Sequence, residues 1–110
     1  MEAPGALSVD IQAVGDTMVV ALSGELDLAT ADLVQETLKE AHDRRPSRLV
    51  IDCRRLTFID STGIGMIFRE AKRDRSDCEP ALELWPGPPQ VQRLFHVAGI
   101  LDRLPFVGVA

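Results

Sequence analysis

Apolar and polar positions change period along the chain, and the changes mark out the elements. Leu7, Val9, Ile11 and Ala13 alternate with Ser8, Asp10 and Gln12, the period-two pattern of a strand with one buried face. Gly15-Asp16 supplies a tight turn. The continuous apolar run Met18-Val19-Val20-Ala21-Leu22 then reads as a second, more deeply buried strand, antiparallel to the first and ended by Gly24. From Thr30 the period shifts. Ala31, Val34, Leu38 and Ala41 recur at three and four, with Asp32, Gln35, Glu36, Lys39 and Glu40 on the outside, which predicts an amphipathic helix. Either Asp27 or Thr30 caps its start, and Arg44-Arg45-Pro46 closes it with cations at the negative end of the dipole and a breaker beyond.

Leu49-Val50-Ile51 is a short apolar run after a helix and a turn, as expected of a central strand reached by a crossover, finished by Asp52 and Cys53. Beyond Arg54-Arg55-Leu56-Thr57-Phe58-Ile59, the residues Ile64, Ile67, Phe68 and Ala71 repeat at helical spacing, so a second helix begins around Ser61. Leu82, Leu84 and Trp85 predict a fourth strand. Pro86-Gly87-Pro88-Pro89 leads into a third helix through Val91, Leu94, Phe95 and Ala98, ended by Gly99. Leu101, Leu104, Phe106 and Val107 allow a last helical turn and an edge segment. Trp85 and Phe95 are expected in the core. The order of elements implies an α/β fold: one mixed sheet of four to five strands with three to four helices packed on it, as a single domain over residues 1–110.

Charge narrows the function. A formal net charge of -5 argues against nucleic acid as a partner, because duplex affinity rests on cations neutralising phosphates. Two basic groups, Arg44 to Arg55 and Arg69 to Arg75, are interspersed with acids and have no aromatic stacking platform among them. Cys53 and Cys78 have no metal-ligand spacing. With no leader-like amino terminus and no apolar run of membrane length, the expectation is a cytoplasmic chain with reduced thiols and no membrane partner.

The candidate chemistry gathers at Asp60-Ser61-Thr62-Gly63. Ser61 stands where a loop meets a helix, so its hydroxyl can cap free N–H groups, and a phosphate attached there would meet the same donors and the positive end of the dipole. A plain helix cap is the simpler role on local physics alone. Gly63 and Gly65 in the first turns each cost about 1 kcal/mol relative to alanine and make sense where a partner backbone approaches. A catalytic serine would need a base, yet His42 and His96 stand near the ends of other helices, and the Gly-x-Ser-x-Gly elbow is missing. Phosphate-loop and dinucleotide fingerprints are missing too, so no enzyme and no cofactor is expected, with a nucleotide-binding module built on the Ser61 loop as the alternative behind the binding roles below. Glu25, Asp27, Asp52 and Asp60 could be imagined as a Mg2+ site, but scattered carboxylates in an acidic chain are usually solvated.

Three motifs together carry a family likeness. Gly24-Glu25-Leu26-Asp27-Leu28-Ala29-Thr30-Ala31 after a strand, then Leu49-Val50-Ile51-Asp52, then Phe58-Ile59-Asp60-Ser61-Thr62-Gly63-Ile64-Gly65 resemble the STAS family of bacterial anti-sigma factor antagonists, over nearly the whole chain. The resemblance implies a small sheet with helices packed on it. It also implies that the unphosphorylated protein binds an anti-sigma factor, itself a serine kinase of the histidine-kinase-like ATPase type, and so frees a sigma factor. Phosphorylation of the serine, here Ser61 with Thr62 as runner-up, ends that binding, and a PP2C-type phosphatase restores it. Asp27, Asp60, Ser61, Thr62, Gly63 and Gly65 fall in the implied contact surface. The same family includes non-switching adaptors of stress-sensing and lipid-transport complexes.

Overall fold

In the computed structural model, which describes residues 2–3, 7–73 and 80–107, a mixed sheet carries its strands in chain order. The elements are β1 (Glu2–Ala3), β2 (Leu7–Val14), β3 (Thr17–Leu26), α1 (Ala31–Asp43), β4 (Arg48–Ile59), α2 (Ser61–Ala71), β5 (Ala81–Trp85) and α3 (Pro89–Val97), then a 3-10 turn over Leu101–Arg103. β1, β2 and β3 pair antiparallel, whereas β3, β4 and β5 run parallel through the α1 and α2 crossovers. The β2–β3 hairpin turns on Gly15, whose φ of +62° suits a two-residue turn between Val14 and Thr17. After the 3-10 turn, Phe106 bridges to Leu84 and lies along β5 as the expected edge segment.

One apolar cluster joins Val20, Leu22 and Ile51 of the sheet to Val34 and Leu38 of α1, Met66 and Ile67 of α2, and Val91 and Phe95 of α3, so all three helices cover the same face. On the other face Val19 and Val50 pair with each other and are buried without joining that cluster. Charged and aromatic side chains lie over them. Arg54 grips the Asp52 carboxylate with Nε and Nη2, both at 3.0 Å, and stacks 4.6 Å from the Trp85 ring centre. The Trp85 indole donates to Glu83, which pairs with Arg48. Trp85 is therefore half-buried on the helix-free face rather than in the core, because its N–H needs a polar partner. Phe95 is fully buried as expected.

Three further expectations need correction. Gly24 does not end its strand: at φ +109° it sits inside β3, which continues to Leu26. Nor does Cys53 finish β4, which runs on to Ile59. The register between β3 and β4 shifts at Ala21/Ser23 and again at Gly24/Glu25, and each shift lets β4 take an extra residue. The core-facing positions of β4 therefore go from Leu49, Ile51 and Cys53 to Leu56 and Ile59, so the alternation that identifies a strand is lost just where the strand continues. In α3, Leu94 and Ala98 are exposed and only Val91 and Phe95 seat the helix. Cys78, expected in a polar loop, lies outside the described residues. Among the described residues no helix is long and apolar enough to cross a membrane.

The start of α2 is pinned by close packing. A methyl group on Gly63 would meet Ile59 Cγ1 and Leu26 Cγ at 2.8 Å each and the Leu26 carbonyl oxygen at 3.1 Å, whereas at Gly65 it would meet only the Arg69 guanidinium at 3.3 Å. Gly63→Ala should therefore destabilise by about 1–2 kcal/mol net, overpacking outweighing the gain in helix propensity. Gly65→Ala should stabilise by up to about 1 kcal/mol. Urea denaturation midpoints moving in opposite directions check the pair.

Cys53 supplies a second check. Burial, reinforced by the Asp52 charge, pushes its thiol up to about 12 from an ordinary 9.0. The folded pKa lies above the unfolded one, so this contribution to stability is complete below pH 9 and is lost as pH rises from 9 toward 12. In a Cys78→Ser background, alkylation of Cys53 at pH 8.5 should run at least about 100-fold slower in the folded protein than in urea, since the thiolate is the reacting species.

Candidate functional site

Where β3 and β4 end together, Leu26 pairs with Ile59, and the Asp60 N–H donates to the Leu26 carbonyl at 3.1 Å. Two loops leave this point side by side, each turning into a helix, and each is held by an aspartate.

In the first loop the Asp27 Oδ1 accepts from Ala29 N at 3.0 Å, Thr30 N at 3.1 Å and Thr30 Oγ1 at 3.1 Å. The Asp27 N–H donates to Thr30 Oγ1 at 2.9 Å, and the Asp27 carbonyl accepts from Ala31 N at 2.9 Å. The two candidate caps of α1 thus bond to each other: Thr30 occupies the cap position without a side-chain hydrogen bond to the helix, while the Asp27 carboxylate holds the turn before it. The Thr30 side chain is fully buried and also reaches the Glu25 carbonyl at 2.9 Å. Its importance was missed in the sequence because a threonine before a helix reads only as a cap. The signal available was the pairing Asp-x-x-Thr, which lets both side chains bond across a tight turn.

In the second loop Asp60, not Ser61, is the N-cap of α2. Its backbone is extended, and its Oδ1 accepts from Gly63 N at 3.1 Å. The preference of aspartate for this position decides the matter, since Ser61 already has helical geometry as the first residue of α2. Ser61 is exposed and its hydroxyl has no hydrogen bond among the described residues; Thr62 is half-buried. The Ser61 and Thr62 amides, the remaining open donors of the first turn, have no acceptor among the described residues. An exposed hydroxyl next to open amides at the positive end of a helix is suited to carry an anion.

Gly63 is buried, and packing against Leu26 and Ile59 within the chain already accounts for its lack of a side chain. Gly65 is half-buried, and nothing in the described structure requires its lack of a side chain. The four carboxylates considered for Mg2+ do not converge. Asp52 is paired with Arg54 on the helix-free face, and among the described residues no cluster of three acidic, histidine or cysteine side chains could hold a metal. His42 is no partner for Ser61 either. Its Nε2 lies 2.9 Å from the Glu70 carboxylate, nine residues along α2 from Ser61, or about 13 Å at the rise of an α-helix. His96 stands exposed in the last turn of α3.

Known proteins resemble the chain in sequence and in fold. The family profile described as "Mlab, STAS domain" matches residues 9–107. An anti-sigma F factor antagonist of Paenibacillus polymyxa is 31% identical over 100 residues, covering 90% of this chain and 85% of that protein. In fold, an anti-sigma factor antagonist from Mycobacterium paratuberculosis matches with a TM-score of 0.82 at 23% identity, covering 96% of this chain and 89% of the other. The Bacillus cell fate determinant SpoIIAA, solved in the phosphorylated form, matches with a TM-score of 0.67 at 20% identity over 96% of this chain and 92% of its own. The element order, the paired loops and these likenesses together make the chain a member of the STAS domain family, with the anti-sigma factor antagonists as its relatives.

Proposed function

We propose that the chain is an anti-sigma factor antagonist controlled by phosphorylation of Ser61. Unphosphorylated, it binds a serine-kinase anti-sigma factor of the histidine-kinase-like ATPase type in the cytoplasm, and the sigma factor is released. Phosphate on Ser61 ends the binding, and a PP2C-type phosphatase restores it. The chain acts as one unit and is a substrate and ligand rather than a catalyst.

The observation that carries this reading is the division of labour at the start of α2. Asp60 has taken the capping role, which leaves the Ser61 hydroxyl exposed and uncommitted. Thr62, half-buried, is the poorer acceptor of phosphate. A phosphoserine adds about 1.5 to 2 negative charges beside a carboxylate in a chain already at -5, so a partner sees a different surface. The likeness to a protein known in a phosphorylated form adds support. A second reading is a non-switching adaptor subunit of a larger complex, since the matching family profile is of the STAS domain as such. An adaptor gives no role to a bare, exposed serine hydroxyl.

Mass spectrometry of protein purified from its own cells should find phosphate on Ser61; its complete absence under every growth condition favours the adaptor. Ser61→Asp should weaken binding to the partner kinase by about 5- to 150-fold, the range of a 1–3 kcal/mol coupling, and Ser61→Ala should bind but accept no phosphate. Wild-type affinity in Ser61→Asp, together with full phosphate uptake by Ser61→Ala, sinks the proposal. Gly65→Ala, more stable than wild type, should nevertheless bind the kinase less tightly in the same titration, because its methyl group, and the Arg69 guanidinium it presses on, change a surface that the partner approaches.

A further inference from the structure

We infer that Leu28 and Phe58 are the apolar anchors by which the chain docks on its kinase, and that the kinase covers them with an apolar depression rimmed by lysine or arginine. This deepens the proposed function and rests on it.

Leu28 is 77% exposed and Phe58 46% exposed. A single exposed apolar side chain is ordinary, but these two share a setting. Phe58 precedes Ile59, which pairs with Leu26, and Leu28 follows Leu26 by two residues. With paired strands about 4.8 Å apart and at most about 3.6 Å per residue, the backbone of Leu28 lies within about 16 Å of Phe58 and about 19 Å of Ser61, distances that one interface of ordinary size can span.

Both side chains are also held outward by rigid backbone. Leu28 belongs to the turn locked by the Asp27–Thr30 hydrogen bonds, where the side chains of its neighbours Asp27 and Thr30 are spent on the turn itself. Phe58 is exposed because the second register shift turns Thr57 and Phe58 to solvent in succession. An apolar group on a fixed backbone loses little freedom on binding, which is what an anchor requires.

Charge identifies the rim of the partner. Residues 23–31 and 56–65 contain Glu25, Asp27 and Asp60 and no lysine or arginine, and the Arg69 guanidinium, 3.3 Å from where a methyl group on Gly65 would stand, offsets only part of that charge. The carboxylates of Asp27 and Asp60 are already committed to backbone amides, so they act on a partner as a fixed negative field around the apolar pair. An apolar patch set in negative potential fits a surface that is apolar at its centre and basic at its edge.

The test uses the full dephosphorylated chain and each serine-kinase anti-sigma factor of its own organism, purified singly. Affinity is read by titration and Ser61 phosphorylation by initial rates. Leu28→Ser and Phe58→Ser should each lower affinity about 30-fold or more, and should raise KM for the chain as phosphate acceptor while leaving kcat and thermal stability near wild type. Val14→Ser and Val97→Ser, 64% and 73% exposed elsewhere on the molecule, should change nothing. Wild-type affinity in Leu28→Ser and Phe58→Ser, with a kinase that does phosphorylate Ser61, overturns the anchors and leaves the phosphoswitch standing. If no kinase binds the chain or phosphorylates Ser61, the proposed function fails and takes the anchors with it. Sedimentation closes off another occupant: if the wild-type chain self-associates and either variant abolishes that association without altering kinase affinity, a second copy covers the patch and the inference is wrong.

Discussion

The parallel pairing of β3 with β4 is the constraint on which the rest of the molecule depends. β3 advances nine residues from Thr17 to Leu26 while β4 advances eleven from Arg48 to Ile59, so the two strands can finish level only because β4 takes up two extra residues. The first shift turns the core-facing set of β4 by one position and the second turns it back. Leu26 and Ile59 thus arrive side by side, both on the buried face. Asp60 then bonds to the Leu26 carbonyl, and α2 starts with Gly63 pressed against both side chains. With a single shift, Ile59 would face solvent and α2 would leave from the wrong side of the sheet.

The same device holds both loops beyond this point. An aspartate carboxylate accepts from backbone amides ahead of it, from Gly63 in the first turn of α2 in one loop and from Ala29 and Thr30 in the turn before α1 in the other. An acidic pair at a docking edge invites the view that the charges exist to attract a partner. Here each has structural employment first, and the field it casts outward is a by-product of where helices begin. The distinction has a consequence for mutagenesis, since removing either aspartate loosens a loop as well as deleting a charge.

Period was a good guide to most of this fold. The β2 alternation, the apolar run of β3, the stripes of α1 and α2 and the proline-led start of α3 all describe elements that the structure contains, because each packs one side against a single core. The failures share a cause. The second half of β4 is a strand whose core positions are three apart, a spacing that imitates a helix or a loop, and Gly24 looked like a terminator because its role inside a shifted register depends on the neighbouring strand. At the site, the family likeness joins Asp27 and Asp60 in one implied surface, but that they are neighbours follows from pairing between the distant segments β3 and β4, and their hydrogen-bonding roles from the turns that follow. Ser61 was identified as a helix-start hydroxyl. That Asp60 displaces it from the cap follows from φ and ψ, which the residue types Asp-Ser do not determine.

That displacement bears on how a switch at Ser61 would operate. A serine that capped its own helix would have to surrender a hydrogen bond when modified, and phosphorylation would then act partly by fraying α2. With Asp60 holding Gly63 N and the two preceding amides open, a phosphate on Ser61 can be received without breaking any described hydrogen bond of the helix start. Asp60 opposes the new charge, and the helix dipole offsets part of that opposition. Gly63, packed against Leu26 and Ile59, leaves the first turn little room to shift. On this reading the two states differ chiefly in the charge displayed on a rigid edge and little in fold, so the partner must discriminate between them through the electrostatics and fit of its own surface.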